Sequence, residues 1–493
     1  MKDWKSVAIL ITVCAAFASP TNAQPPDVVM SDMNANTAMG TDALLPSQSS
    51  TFFNTAAGYQ ALGANMTGSG NSAFGYQTLY SNTSGTDNAA FGVGALGANT
   101  SGGLNTGMGN GALSSNTTGH DNTATGIASL TENSTGSYNT AAGSNVMYDN
   151  TTGSSNTAFG YQTLYRNTTG SANSATGVWA LYSNTSGGDN TAVGHGALYY
   201  NTTGSNNTAS GLDSMSSNTT GSDNTAAGYA ALYSNTTGDY NSAYGDATLN
   251  DNTSGKDNTA SGYAALHDNT TGIQNTASGM QALYANKTGG GNTAAGLDAL
   301  YHNTGGHYNI AEGYKAGYNL TTGSNNIDIG NQGTAGDSNT INIGTQGTQT
   351  ATHIAGIYGN SSVTGLAVVV DSTGQLGVTG TSSERFKTAI APMGSSTAKL
   401  GQLRPVTFHL KTDPQSRPQY GLIAEEVAKV YPELVIRDGT GRIDGVRYDE
   451  LAPMLLNELQ QLKKQVADLS QLNQSMQAAI LKLESKDPRL AMQ

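Results

Sequence analysis

"NTAAGYQALGANMTGSG", residues 54–70, is followed every 17 residues by a recognisable copy of itself. Asparagine opens the copies at Asn54, Asn71, Asn88 and Asn105 and onward through Asn292, Asn309 and Asn326, with a degenerate copy from Asn36. The consensus is N-T-A-x-G-x-x-A-L-x-x-N-T-T-G-x-x. A fixed short period of this kind specifies a solenoid or roll of stacked coils, none of which can fold alone. The fifth position is glycine from Gly58, Gly75 and Gly92 to Gly330, which fits a place where a side chain would clash or φ is positive. The ninth is Leu or Met from Leu62 to Leu300, including Met147 and Met215, and stacking makes these one continuous apolar ladder with alanines filling the remainder. A coil of this length has room for two short strands and two turns, the turn chemistry coming from N-T-T-G. At about 4.8 Å per coil the tract is a rod on the order of 80 Å long.

One Leu and a few Ala per coil make a thin core. At about 25 cal/mol per Å², such burial is marginal against roughly 1–2 kcal/mol of backbone entropy per residue. Asparagine ladders, hydrogen bonds between coils and contacts with other chains have to supply the difference. The tract resembles the heads of trimeric autotransporter adhesins, parallel β-rolls of short N-x-A-x-G-like repeats.

Composition narrows the function. Only 11% of the 493 residues are charged and the net charge is −13, so no basic surface exists to match phosphates and nucleic acid is excluded as a partner. Lys2 and Lys5, an apolar run from Val7 to Phe17 and the small residues Thr21-Asn22-Ala23 read as an export signal over residues 1–23. A linker, 24–35, follows. The only cysteine, Cys14, lies in that signal, so the exported chain is expected to carry no disulfide, lipid anchor or membrane span. A secreted or cell-surface location follows. Cofactors are not expected, and the seven histidines are scattered, giving no expectation of a metal site.

Tyrosines recur at the tenth position (Tyr80, Tyr165, Tyr182, Tyr199, Tyr233, Tyr284, Tyr301) and at the sixth (Tyr59, Tyr76, Tyr161, Tyr229, Tyr263). Such stripes serve either as packing between coils or subunits, or as a surface for a cell-surface glycan or another extracellular partner. The N-T-T and N-T-S triplets match glycosylation acceptors but in this setting read as turns.

Beyond Asn326 the period shortens, and "GLAVVVDSTGQLGV" reads as a hairpin turning at Asp371–Gly374. The shaft is thus placed at 36–338 and a β-rich neck at 339–381. Fifteen of the 21 Lys and Arg residues lie between Arg385 and Arg489, marking a domain boundary close to Ser382. From Leu451 apolar residues recur in steps of three and four: Leu459, Val466, Asn473 and Ile480 on one track, Leu455, Leu462, Leu469, Met476 and Leu483 on the other. That is a coiled-coil seam over 451–486, in which Asn473 fixes register and strand number; Asp487-Pro488 ends it.

Four motifs in the C-terminal part occur in order: S-S-E-R-F-K-x-x-I from Ser382, G-L-I-A-E-E-V from Gly421, Y-P-E-L-V from Tyr431 and V-R-Y-D-E-L-A-P-M-L-L from Val446. Together they resemble the intramolecular chaperone auto-processing domain of phage endosialidases, tailspikes and bacterial surface fibres, here placed at 382–450. The resemblance implies a homotrimer that cuts itself between Thr381 and Ser382, with Ser382 as nucleophile and Lys387 as general base. Arg385 is a candidate for tuning that base, since a lysine acts as base only when burial or neighbouring positive charge draws its pKa from about 10.4 towards 7–8. The expected architecture is therefore mainly β: a parallel β-roll shaft, a β neck, a small α+β chaperone domain and a trimeric coiled coil. The rival reading is a solenoid presenting Thr and Asn rows to ice or a mineral, with a non-cleaving oligomerisation cap.

Overall fold

The computed structural model describes residues 30–44, 51–354, 368–371, 373–378, 383–411, 417–437 and 440–486. The expected export signal, Thr381, Ser382 and Asp487-Pro488 lie outside them. The chain divides into two units, 1–351 and 352–493.

The first unit is a solenoid. Each coil places one three-residue strand, such as Thr55–Ala57, Ser72–Phe74 or Thr191–Val193, in a parallel sheet whose neighbours pair in strict register, Thr55 with Ser72 and Ser174 with Thr191. The sheet has 20 strands, the first of which, Met30–Ser31, runs antiparallel to Thr37–Met39. One strand per coil stands where two were expected. The reason lies beyond the strand: Gly58 turns the chain at φ +132°, and the seventh and ninth residues are also left-handed, as at Gln60 and Leu62 with φ +55° and +52°. No second extended run fits between them.

That conformation costs a non-glycine residue about 1–2 kcal/mol. Leucine tolerates it because the whole side chain is withdrawn from water, contributing about 1.5–3 kcal/mol; Leu62, Leu79, Leu96 and their successors are completely buried. The third- and eighth-position alanines complete the core. At the fifth position a Cβ on Gly58 would sit 2.3 Å from the carbonyl oxygen of Gly75, so glycine is the only residue that lets the coils close up.

Two fully buried asparagine ladders flank this core. In the first, Asn156 Oδ1 accepts from Asn173 N (3.0 Å) and Asn173 Nδ2 (3.1 Å), while Asn173 Nδ2 also donates to Gly187 O (3.0 Å). In the second, Asn184 Nδ2 donates to Asn167 Oδ1 (2.8 Å) and to the same Gly187 O (2.9 Å). One glycine carbonyl per coil therefore joins both ladders. Buried amides satisfied in this way reinforce rather than weaken a core.

The pattern breaks at its C-terminal end. In the coil from Asn309 the ninth place is Gly317 and the twelfth is Leu320, so the buried leucine enters from the opposite wall and Asn303 Oδ1 loses its hydrogen-bond partner. In the next coil Asp328 replaces the core alanine. Its Oδ1 accepts from Asn342 Nδ2 at 2.8 Å, but its Oδ2 is buried and unpartnered. Burial pushes this carboxyl above the usual aspartate range, the Asn342 bond opposes the rise and the charge of Asp337 adds to it. The final step is shorter, Ile327 pairing with Ile341.

The second unit holds a hairpin, Val368–Val370 with Leu376–Val378, around the expected Asp371–Gly374 turn. Two further antiparallel pairs, Val406–Phe408 with Gln419–Gly421 and Val435–Arg437 with Ile443–Val446, accompany helix α1 (Ala424–Val430) and helix α2 (Tyr448–Glu484). Among the described residues no helix is long and apolar enough to cross a membrane.

Asn173→Ala removes the side-chain donor from Asn156 Oδ1 and from Gly187 O, leaving the backbone N–H in place, and takes away the oxygen that accepts from Asn190 N and Nδ2. It is expected to lower the local opening free energy, read by amide hydrogen exchange over the neighbouring coils, by about 2–4 kcal/mol, whereas the outward Thr191→Ala changes it by less than about 0.5 kcal/mol. Asp328 binds its proton more tightly folded than unfolded, so its contribution to stability falls as pH rises above about 4. Asp328→Asn is expected to stabilise the last coils by about 1–3 kcal/mol at pH 7 and to flatten that dependence, measured as exchange protection of residues 309–344 between pH 4 and pH 7.

Candidate functional site

The C-terminal unit is built around a small apolar nucleus of Val427, Tyr431, Leu434, Val435, Val446 and Met454. Three of the four motifs seen in the sequence supply it, and their polar residues lock it. The Tyr431 hydroxyl accepts from Lys399 N at 3.0 Å and donates to Ser396 O at 3.2 Å, while the Tyr448 hydroxyl accepts from Leu422 N at 2.8 Å. A clamp that was not anticipated fastens the 394–397 turn to α2. Buried Thr397 donates through Oγ1 to Glu458 Oε2 (2.9 Å) and accepts from Asn457 Nδ2 (2.6 Å), and Gln461 Nε2 donates to Gly394 O. Arg404 forms a forked ion pair with Glu426 at 3.2 and 2.6 Å, which raises the arginine and lowers the glutamate from their ordinary values.

The remaining motif lies at the start of this unit. Ser383 precedes a single 3₁₀ turn, Glu384–Phe386, without a side-chain capping bond; the turn is closed by Lys387 N donating to Glu384 O at 2.9 Å. Arg385 and Lys387 are both exposed. Ser382 lies outside the described residues, one position before Ser383. Asn473 lies exposed on α2, as do the seam residues Leu459, Val466, Leu469 and Ile480.

On the shaft, the tenth-position aromatics form runs rather than one stripe. Tyr148, Tyr165, Tyr182 and Tyr199 stack face to face at 5.3, 5.3 and 5.1 Å, and the run stops where Ser216 takes the tenth place. His267, Tyr284, Tyr301 and Tyr318 form a second run at 5.0, 5.1 and 5.5 Å. Rings inside a run cover one another's faces, leaving edges for a ligand. Tyr80 and Tyr233 have no such neighbour among the described residues and are 41% and 40% exposed. Beside the first run, Arg166, Tyr182, Tyr199 and Tyr200 border an open groove of about 520 Å³. The guanidinium of Arg166 lies 5.8 Å from the Tyr182 ring centre.

The hydroxyl rows divide in two. Thirteenth-position threonines donate to the next coil, Thr168 Oγ1 to Thr185 O at 2.9 Å, and so are structural. Second-position residues such as Thr123, Thr191 and Thr208 point outward, but the fourth position beside them varies, with Phe74, Met108, Phe159 and Tyr244 at 37–48% exposure. A regular double row of threonines is therefore not formed.

Register also gathers residues that look scattered in sequence. Asp251 and Asp268, 17 positions apart, occupy the same place in successive coils, and His267 adjoins the second. The signal was present in the spacing, but reading it requires knowing that the coils stack in register. No curated protein and no solved structure matches the chain. Residues 382–436, beginning at Ser382, match the family model described as the chaperone of endosialidase, and the C-terminal part of the chain is similar to that family.

Proposed function

We propose that this chain is an exported, trimeric, adhesin-like fibre whose C-terminal domain aligns three copies and then releases itself by one cut between Thr381 and Ser382. The observation that carries this reading is the chaperone-of-endosialidase match, which starts at Ser382 itself. The family's association with fibre assembly suits a chain whose earlier part is a β-solenoid.

Surfaces left uncovered in one chain support the trimer. At the end of the shaft the outward strand positions turn from threonine to isoleucine, leaving Ile310, Ile329, Ile341 and Ile343 at 44%, 38%, 68% and 72% exposure. Along α2, Leu455, Leu459, Leu462, Val466, Leu469, Met476, Ile480 and Leu483 are all about half exposed or more, a seam wanting parallel partners.

The chemistry is an N-to-O acyl shift. Ser382 Oγ attacks the Thr381 carbonyl carbon, Lys387 takes the hydroxyl proton and passes it to the departing Ser382 nitrogen, and water then hydrolyses the ester. Arg385 supplies positive charge close to the base. Lys387 is exposed in the single chain, so the burial that a lysine base requires comes from assembly, which makes the cut report completed folding. The released shaft displays its Tyr80, Tyr165, Tyr182, Tyr199 and Tyr233 positions to a glycan or another extracellular surface.

Expressed at full length, wild type is expected to yield two fragments on a denaturing gel, the smaller beginning with Ser382. Ser382→Ala and Lys387→Ala are expected to remain intact, with light scattering giving three chains per particle in both. A wild-type trimer that stays uncut refutes the processing; a monomer refutes the assembly.

A further inference from the structure

We infer that Asp251, His267 and Asp268 form a site for a divalent transition-metal ion, with zinc the best match, on the outside of the shaft. One ligand atom from each residue lies within 4.8 Å of those of the other two, and His267 Nδ1 is 2.7 Å from Asp268 Oδ1. Around a tetrahedral zinc, bonded at about 2.0–2.2 Å to nitrogen and oxygen, neighbouring ligand atoms stand roughly 3.3 Å apart. Closing the site on an ion therefore needs small side-chain rotations and no backbone movement.

The scaffold holds the ligands in place beforehand. Asp251 N donates to His267 O and Asp268 N to Tyr284 O, both at 2.9 Å, so the separation of the two carboxylate-bearing rungs is set by the sheet-like stacking of coils. The imidazole lies flat against Tyr284, ring centres 5.0 Å apart and planes 10° from parallel. A ligand ring that is already immobilised loses little freedom when it binds.

Charge points the same way. Among the described residues no lysine or arginine forms an ion pair with Asp251 or Asp268. Two carboxylates one rung apart repel each other, and a dication held between them removes that repulsion.

The donor set selects the metal. One imidazole with two carboxylates suits zinc and its neighbours, whereas calcium takes six to eight oxygens. The outward side of the cluster is open for water to complete the shell. Two other histidine–aspartate contacts on the shaft, His120 with Asp121 at 2.8 Å and His195 with Asp213 at 3.9 Å, bring only one carboxylate each. They are natural controls.

The test uses untagged full-length protein, stripped with a chelator and titrated with Zn²⁺ by calorimetry and with Co²⁺ by visible absorption. One ion per chain is expected, with a Co²⁺ spectrum of low-symmetry, four- or five-coordinate type. His267→Ala and the double variant Asp251→Asn/Asp268→Asn are expected to weaken binding by at least about tenfold, while His120→Ala leaves it unchanged. All variants should keep the wild-type circular dichroism, since none of the replaced side chains belongs to the buried core. Absence of Zn²⁺ binding to wild type, or equal binding by wild type and His267→Ala, overturns the assignment. Neither outcome bears on self-cleavage, which is read separately on the gel.

Discussion

Each coil is held to the next at a glycine carbonyl. Gly187 O, and its equivalent in every regular coil, accepts one amide proton from each of two buried asparagine ladders, so a single oxygen ties together the two walls of the solenoid. A side chain at that glycine would place its Cβ 2.3 Å from the carbonyl of Gly204 and 2.6 Å from Asn184 Oδ1. The repeat length, both asparagines and the glycine are thus one constraint rather than four. A change to any of them leaves a buried polar group without its partner, and such a group costs more than a missing methyl. This explains how a shaft with one leucine per coil manages with so little apolar volume.

Much of this was legible in the sequence, because repetition turns a weak signal into a strong one. Gly58 and its copies announced a positive φ, Leu62 and its copies announced the core, and the N-T-T-G turns kept their expected place. The left-handed conformation of the leucines was not legible. Leucine has no local preference for it and adopts it only because the neighbouring glycine and the packing of the coil leave no alternative. The same blindness gave two strands per coil instead of one. At the other end of the chain, the motifs could be recognised because Val427, Tyr431 and Leu434 are core residues and the Tyr448 hydroxyl accepts a hydrogen bond from Leu422 N, so their spacing is fixed by packing and by that bond. The Thr397–Glu458–Asn457 clamp has no such spacing; its members stand some 60 residues apart and meet only in three dimensions.

The variable positions carry the individuality of the shaft. Where aromatic residues follow one another from coil to coil they consume each other's faces, and where the succession breaks, at Ser216 and Asn250, the remaining rings are left with uncovered surface. Identity is thereby written by interruptions of the repeat. The C-terminal unit has the opposite economy: a nucleus of only a few buried side chains and a long helix with its apolar seam in water. An exposed seam of that kind is the surface that the proposed assembly would cover.

A parallel stack of identical rungs has two raw edges, each able to seed growth by a further rung from any other molecule. Here the two are closed by different means. At the front, Met30–Ser31 runs against the direction of every other strand and so offers no parallel template. At the back, the leucine changes walls at Leu320, the second ladder stops at Asn303, an acid fills the place of alanine at Asp328 and the last step is shortened. A coil from another copy arriving at that edge finds neither the spacing nor the amide it would need. The irregular end therefore lacks the template for end-to-end growth that the regular repeat would offer.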